Sequence, residues 1–119
     1  MEVRKMLIDD YNPLDGKMLQ ILRTDGTFVA ELEPKLDDSV LVQAYKTMVL
    51  TRVADEKAVK LQRQGRLGAY PPCKGQEAAQ IGPAMAMRKE DWFVWSFREL
   101  GGLLQHQVPL TSLFLYWSG

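Results

Sequence analysis

One cysteine, one histidine and no excess of either charge narrow the chemistry of this 119-residue chain before any motif is read. With Cys73 alone there is no intramolecular disulfide and no multi-cysteine zinc site, a usage that fits a reducing compartment. With His106 alone, a Ser–His or Cys–His catalytic pair would have to be built around that residue, yet Cys73 is far away in sequence and no carboxylate is spaced to orient it. Fifteen Lys and Arg are balanced by 15 Asp and Glu, so no basic field recommends the chain to nucleic acid. No apolar run approaches the ~20 residues of a membrane span. The longest uncharged stretch, residues 100–119, is broken by Gly101, Gly102, Gln105, His106, Gln107 and Pro109. The first ten residues mix charged and apolar side chains without a signal-peptide core. P-loop, dinucleotide-fingerprint and metal-ligand spacings do not occur. These absences predict a soluble, cytoplasmic protein that binds neither nucleic acid nor membrane.

What is present is ordinary globular usage, 46% hydrophobic and 25% charged. A chain of this length buries roughly 60–70% of its unfolded surface, enough for a core but not for a large cofactor cavity as well. Two β-prone runs around Thr24-Asp25-Gly26 predict a hairpin, part of an N-terminal arm and flap over residues 1–35. Residues 36–119 then read as a helical region. After Asp37-Asp38-Ser39, the three- and four-residue steps of Leu41, Ala44, Tyr45, Met48, Val49, Arg52 and Val53 predict a long helix, stopped at Arg63-Gln64-Gly65. A Gly- and Pro-rich loop follows through Pro71-Pro72-Cys73. A second helix is expected from Gly75 or Gln76 to about Arg88, kinked or delayed by Pro83. Trp92-Phe93-Val94-Trp95 reads as a short buried core strand, Ser96 as the cap of a helix to about His106, and Pro109 as the opening of a last helix. That last helix crowds Leu113, Phe114, Leu115, Tyr116 and Trp117 together, and the pattern predicts either further sequence downstream or a partner over those side chains.

Two clusters are candidates for binding. Arg63-Gln64-Gly65-Arg66-Leu67-Gly68 followed by Gly75-Gln76-Glu77 places backbone N–H groups and a helix N-terminus where an anion or polarised carbonyl could sit; the alternative is a helix cap and a loop. Ser96-Phe97-Arg98-Glu99 places an always-charged fork where a strand meets a helix; the alternative is a surface ion pair of Arg98 with Glu99 or Glu90.

Taken in order, Arg63 to Gly68, Gly75-Gln76-Glu77-Ala78-Ala79-Gln80-Ile81-Gly82, Glu90-Asp91-Trp92, Phe97-Arg98-Glu99, Val108-Pro109-Leu110 and Leu115 to Gly119 resemble the N-terminal part of the E1 alpha subunit of 2-oxo acid dehydrogenases. Thr51-Arg52, Asp55 and the segment Gln20-Ile21-Leu22 with Asp25-Gly26 extend the resemblance over nearly the whole chain. It implies an α/β fold of the thiamine diphosphate-binding type, of which this would be the leading portion: mainly helical, with an N-terminal β-hairpin and one short core strand. It implies oxidative decarboxylation of a 2-oxo acid, pyruvate before branched-chain acids, with acyl transfer to the lipoyl group of E2. The implied partners are an E1 beta subunit, in an α2β2 heterotetramer, and the E2 acyltransferase. The implied cofactor is thiamine diphosphate, with its magnesium held by residues outside this segment.

The resemblance carries a Tyr-Arg cofactor-holding pair onto Phe97 and Arg98, where the ring survives without its hydroxyl. Gln76 and Glu77 are implied to lie near the site without a defined role. A histidine that some members place before the Gly-Gln-Glu motif is Pro71 here, so no catalytic residue transfers, and no metal ligand does. The segment alone is therefore expected to be inactive. A non-catalytic fragment that binds a beta subunit or itself is the competing expectation.

Overall fold

The computed structural model describes residues 7–119, so the first six residues of the expected arm lie outside it. The chain divides into a leading unit that ends at Lys35 and a unit from Leu36 to Gly119.

The leading unit is held by turns. Helix α1 (Leu7–Asp10) is one turn long, and the Asn12 side chain accepts the Leu14 N–H at 3.0 Å to start a 3-10 turn at Pro13–Asp15. At the expected hairpin, Gly26 takes φ 84° and the Asp25 carboxylate accepts both the N–H and the hydroxyl of Thr27. Pairing then stops almost at once. One antiparallel bridge joins Leu22 to Phe28, with Arg23 N–H on the Thr27 carbonyl at 2.8 Å and Val29 N–H on the Ile21 carbonyl at 2.9 Å. The expected β-hairpin is thus corrected to a bridged turn. Leu22 and Phe28 are exposed and no further strand among the described residues offers a ladder, so a two-stranded ribbon has nothing to stabilise it.

The second unit is built on α2 (Asp38–Arg63), whose limits agree with its start and stop residues, although Asp37 at the N-cap makes no side-chain hydrogen bond to the helix N–H groups. Asp38 lies in the first turn, Lys60 and Arg63 in the last, and Gly65 takes the left-handed conformation at φ 69° just beyond. The face that α2 buries is not the one its large apolar side chains mark. Thr47, Thr51, Ala54, Asp55 and Ala58 point inward at helical spacing, whereas Leu41, Tyr45, Val49 and Val53 are exposed. The reason is the closeness of the neighbouring backbone. Gly101, in α4 (Leu100–Gln105), lies so near that a methyl added there would stand 3.3 Å from Thr51 Oγ1 and 3.0 Å from Gln80 Oε1. Only small side chains fit such an approach, and the Thr51 hydroxyl is satisfied within its own helix by the Thr47 carbonyl at 2.7 Å.

Helix α3 (Glu77–Ala86) packs against both α2 and α4 and contributes buried Ile81 and Ala84. It runs through Pro83 from a start at Glu77, so the proline neither delays nor ends it. The expected core strand at Trp92–Trp95 is corrected to an extended segment without a partner among the described residues: Trp92 and Val94 are about 90% exposed. Only Phe93 turns inward, stacking on the His106 ring at 5.2 Å and filling the space over Gly102. The fold class is accordingly mainly helical, with no strand or sheet among the described residues.

The next helix starts three residues later than its cap signal suggests. The Glu99 carboxylate accepts the N–H groups of Ser96 and Arg98, both at 3.0 Å, and closes a turn that delays α4 to Leu100. Pro109 sits immediately before α5 (Leu110–Ser118). Leu113 of α5 joins Ala54, Cys73, Leu100 and Leu103 in one apolar cluster, and Trp117 and Phe114 reach both this cluster and a second made by Ala58, Leu67 and Tyr70. Leu115 and Tyr116, on the other side of α5, stay exposed.

Candidate functional site

The loop between α2 and α3 is the meeting point of both candidate clusters. Its upstream end is tied to α5, where Gly68 N–H donates to the Trp117 carbonyl at 2.7 Å and the Tyr70 ring meets Trp117 edge-on at 4.7 Å. Its middle is tied to α2. Asp55 Oδ1, in a residue only 1% exposed, accepts the Tyr70 hydroxyl and the Cys73 backbone N–H, each at 2.7 Å. Its downstream end turns through Gly75, at φ 91°, into α3.

Glu77 opens α3 and is buried there. Its carboxylate takes the Arg52 guanidinium and the Gly75 N–H, so it spans α2, the loop and the helix start at once. The Arg52 hydrogen bond, helped by backbone donors, holds its carboxyl down at about 2 against burial, which opposes the charge. Because the folded value lies below the ordinary 4.5, Glu77 contributes stability that is full above about pH 4.5 and is lost as pH falls toward about 2. Glu77→Gln removes that dependence. Urea midpoints of the native chain are therefore expected to fall more steeply between about pH 5 and about pH 3 than those of the variant. Gln76, immediately before, is exposed, and its backbone N–H closes the turn onto the Cys73 carbonyl at 2.9 Å.

Phe97 and Arg98 reach the same loop from the other side. Arg98 Nη1 donates to the Pro72 carbonyl at 2.8 Å, and the guanidinium carbon lies 5.5 Å from the centre of the Phe97 ring. Among the described residues no carboxylate pairs with Arg98; Arg88 takes Asp91, Lys74 takes Glu56, and Glu99 is engaged by backbone N–H groups. The alternative of an Arg98 surface ion pair is therefore not what the geometry shows. Phe97 is 59% exposed and forms a wall of a cleft of about 130 Å³ with Pro71, Trp95, Leu100, Tyr116 and Trp117. No hydrogen bond joins Arg98 to Gln76 or Glu77; the loop is what they share.

Asp55, Tyr70 and Cys73 form a buried polar knot to which the residue pattern alone assigns no role. The signal for it is an acid placed among Thr51, Ala54 and Ala58, the small residues of α2 at helical spacing. Burial, reinforced by Asp55, pushes the Cys73 thiol up to about 12 and the Tyr70 hydroxyl well above its usual range. Cys73 is a neutral packing group, not a thiolate nucleophile. His106 stacks on the Phe93 ring.

A forked cation, oriented by a backbone carbonyl and backed by an aromatic ring, suits a phosphate. Among the described residues no group of three His, Cys, Asp or Glu side chains is gathered to hold a metal ion. No helix among them is long and apolar enough to cross a membrane.

The sequence profile of the dehydrogenase E1 component family matches residues 45–119. The chain is 52% identical over 96 residues, 80% of its length, to the pyruvate dehydrogenase E1 component subunit alpha of Acholeplasma laidlawii. It is 42% identical over 104 residues, 87% of its length, to the protein of the same name from Staphylococcus aureus, and equally to that of Staphylococcus epidermidis. The chain spans 28% of the length of each of these relatives.

Proposed function

The chain belongs to the dehydrogenase E1 component family, and from that premise we propose that it forms part of the alpha subunit of a cytoplasmic pyruvate dehydrogenase. It works there with an E1 beta subunit in an α2β2 heterotetramer and delivers its acyl product to the lipoyl group of E2. Pyruvate is preferred to branched-chain 2-oxo acids because the similar proteins carry the pyruvate name.

The observation that carries this reading is the Arg98 guanidinium, aligned by the Pro72 carbonyl and paired with no carboxylate among the described residues. These residues fit one end of thiamine diphosphate and not its magnesium. Arg98 would hold the diphosphate through its remaining N–H groups, and Phe97 would offer apolar surface beside it but no hydrogen bond. Gln76 and Glu77 border the site through the loop, Glu77 by fixing Gly75 and the start of α3. When bound, the cofactor supplies the electron sink that lets the 2-oxo acid lose its carboxylate. The exposed Leu41, Tyr45, Val49 and Val53 stripe of α2 supports a role inside a larger assembly, since so much apolar surface on one helix face is unusual in water.

Co-expressed with the remaining part of an E1 alpha subunit and with a beta subunit, the chain is expected to give thiamine diphosphate-dependent release of carbon dioxide from pyruvate. The chain alone gives none. Absence of any gain over the partners alone overturns the reading.

A further inference from the structure

The carbonyl that aligns Arg98 sits between two anchors on a single oxygen. Tyr70 and Cys73 both donate to Asp55 Oδ1, and Pro72 lies between them. Pro71 and Pro72 have their φ angles fixed by their rings, so the segment has little freedom left once its ends are held. A peptide carbonyl in such a span is aimed by whatever holds the ends, and here both ends are held by one buried carboxylate of α2.

We propose that Asp55 is a positioning residue for the cofactor contact: by holding Tyr70 and Cys73 it sets the Pro72 carbonyl, which in turn aims the Arg98 guanidinium at the diphosphate. This rests on the assignment of Arg98 made above. It gives the buried acid a function beyond satisfying two donors, and it links a residue in the middle of α2 to a ligand that it does not touch. The proposal also separates two kinds of loss. Removing Arg98 deletes the contact itself, whereas removing Asp55 leaves the guanidinium in place and frees its direction.

The test is a double-mutant cycle in the assembled holoenzyme, reading the dissociation constant of thiamine diphosphate with magnesium by calorimetry. Asp55→Ala is expected to weaken binding about tenfold and Tyr70→Phe, which removes one of the two anchors, about threefold. Asp55→Asn keeps an acceptor oxygen and is expected to stay within about twofold of the native enzyme. In an Arg98→Ala background all three should change affinity by no more than about 1.5-fold, because the aimed group is gone. Tyr70→Phe carries the test if Asp55→Ala does not assemble.

Losses of equal size in the native and Arg98→Ala backgrounds show that Asp55 and Tyr70 serve only the fold, and overturn the proposal while leaving Arg98 as a cofactor residue. Native affinity in both variants overturns it too. If Arg98→Ala itself binds the cofactor normally, the assignment of Arg98 fails and the proposal goes with it.

Discussion

Replacing Arg98 by alanine is expected to raise the thiamine diphosphate concentration needed for half-saturation of the assembled enzyme by about 10- to 100-fold. That factor is the ~1.5–3 kcal/mol by which a hydrogen bond to a charged group stabilises its complex, expressed at about 1.4 kcal/mol per decade. The loss should appear in cofactor affinity and leave the Michaelis constant for pyruvate nearly unchanged, because Arg98 is proposed to meet phosphate and not the substrate. Arg98→Lys recovers the charge but not the fork. A lysine cannot keep one N–H on the Pro72 carbonyl while presenting a planar pair to the anion, so it should restore only part of the affinity. Cofactor titration followed by the onset of decarboxylation distinguishes the three proteins. An Arg98→Ala enzyme that saturates like the native one would remove the observation on which the functional reading stands.

Phe97 sharpens the same argument. Where the family resemblance implies a tyrosine, this chain keeps the ring under the guanidinium and loses the hydroxyl. The cation–ring contact survives, worth about 0.5–1 kcal/mol at an exposed site, and only the hydrogen bond is missing. If Arg98 meets the diphosphate as proposed, this chain would depend on it more heavily than a member with both groups.

How much of this was legible in the residue order depended on the range of the interactions involved. Helix ends are local, and the ends of α2 follow from Asp38, Arg63 and Gly65 without knowledge of anything distant. The same holds for Pro109 before α5. The buried face of α2 is not local. Periodicity offers two stripes, the large apolar one through Leu41, Tyr45, Val49 and Val53 and the small one through Thr47, Thr51, Ala54 and Ala58. The backbone of α4 at Gly101 decides between them by admitting only small side chains. Hydrophobic pattern alone backs the wrong stripe, because it scores transfer from water and ignores how closely two helices can approach.

The β elements failed for a related reason. Trp92-Phe93-Val94-Trp95 and the runs beside Asp25-Gly26 have strand-like side chains, but a strand is stabilised by its ladder, and no partner stands beside either among the described residues. At the site, Phe97 and Arg98 were visible as residue types where a strand was expected to meet a helix. The meeting of Arg98 with Pro72, 26 positions away, was not, nor was the grip of Asp55 on the loop beneath. A family resemblance transmits which residues matter more readily than it transmits which of them touch.

Trp117→Ala is the substitution expected to cost the fold most among the aromatic residues of α5, about 3 kcal/mol. The indole lies between both apolar clusters, meets the Tyr70 ring edge-on at 4.7 Å and the Phe114 ring at 6.0 Å, and belongs to the residue whose carbonyl accepts Gly68 N–H. Truncation opens a cavity beneath the loop and removes the ring contact that seats Tyr70 over Asp55. One helical residue away, Tyr116 is 71% exposed, so Tyr116→Ala should change stability by less than about 0.5 kcal/mol. Urea denaturation of the two variants resolves the difference, with a lowered midpoint for Trp117→Ala and a native-like one for Tyr116→Ala. The contrast bears on function because Gly68 and Tyr70 are the loop's ties to α5, and Pro72 lies two residues beyond. A loosened loop should therefore weaken thiamine diphosphate binding in the Trp117→Ala holoenzyme by a route that Tyr116→Ala leaves intact. If both variants lose stability equally, the sequence's crowded apolar run acts as one undivided patch, and the division of α5 into a packed side and a free side is wrong.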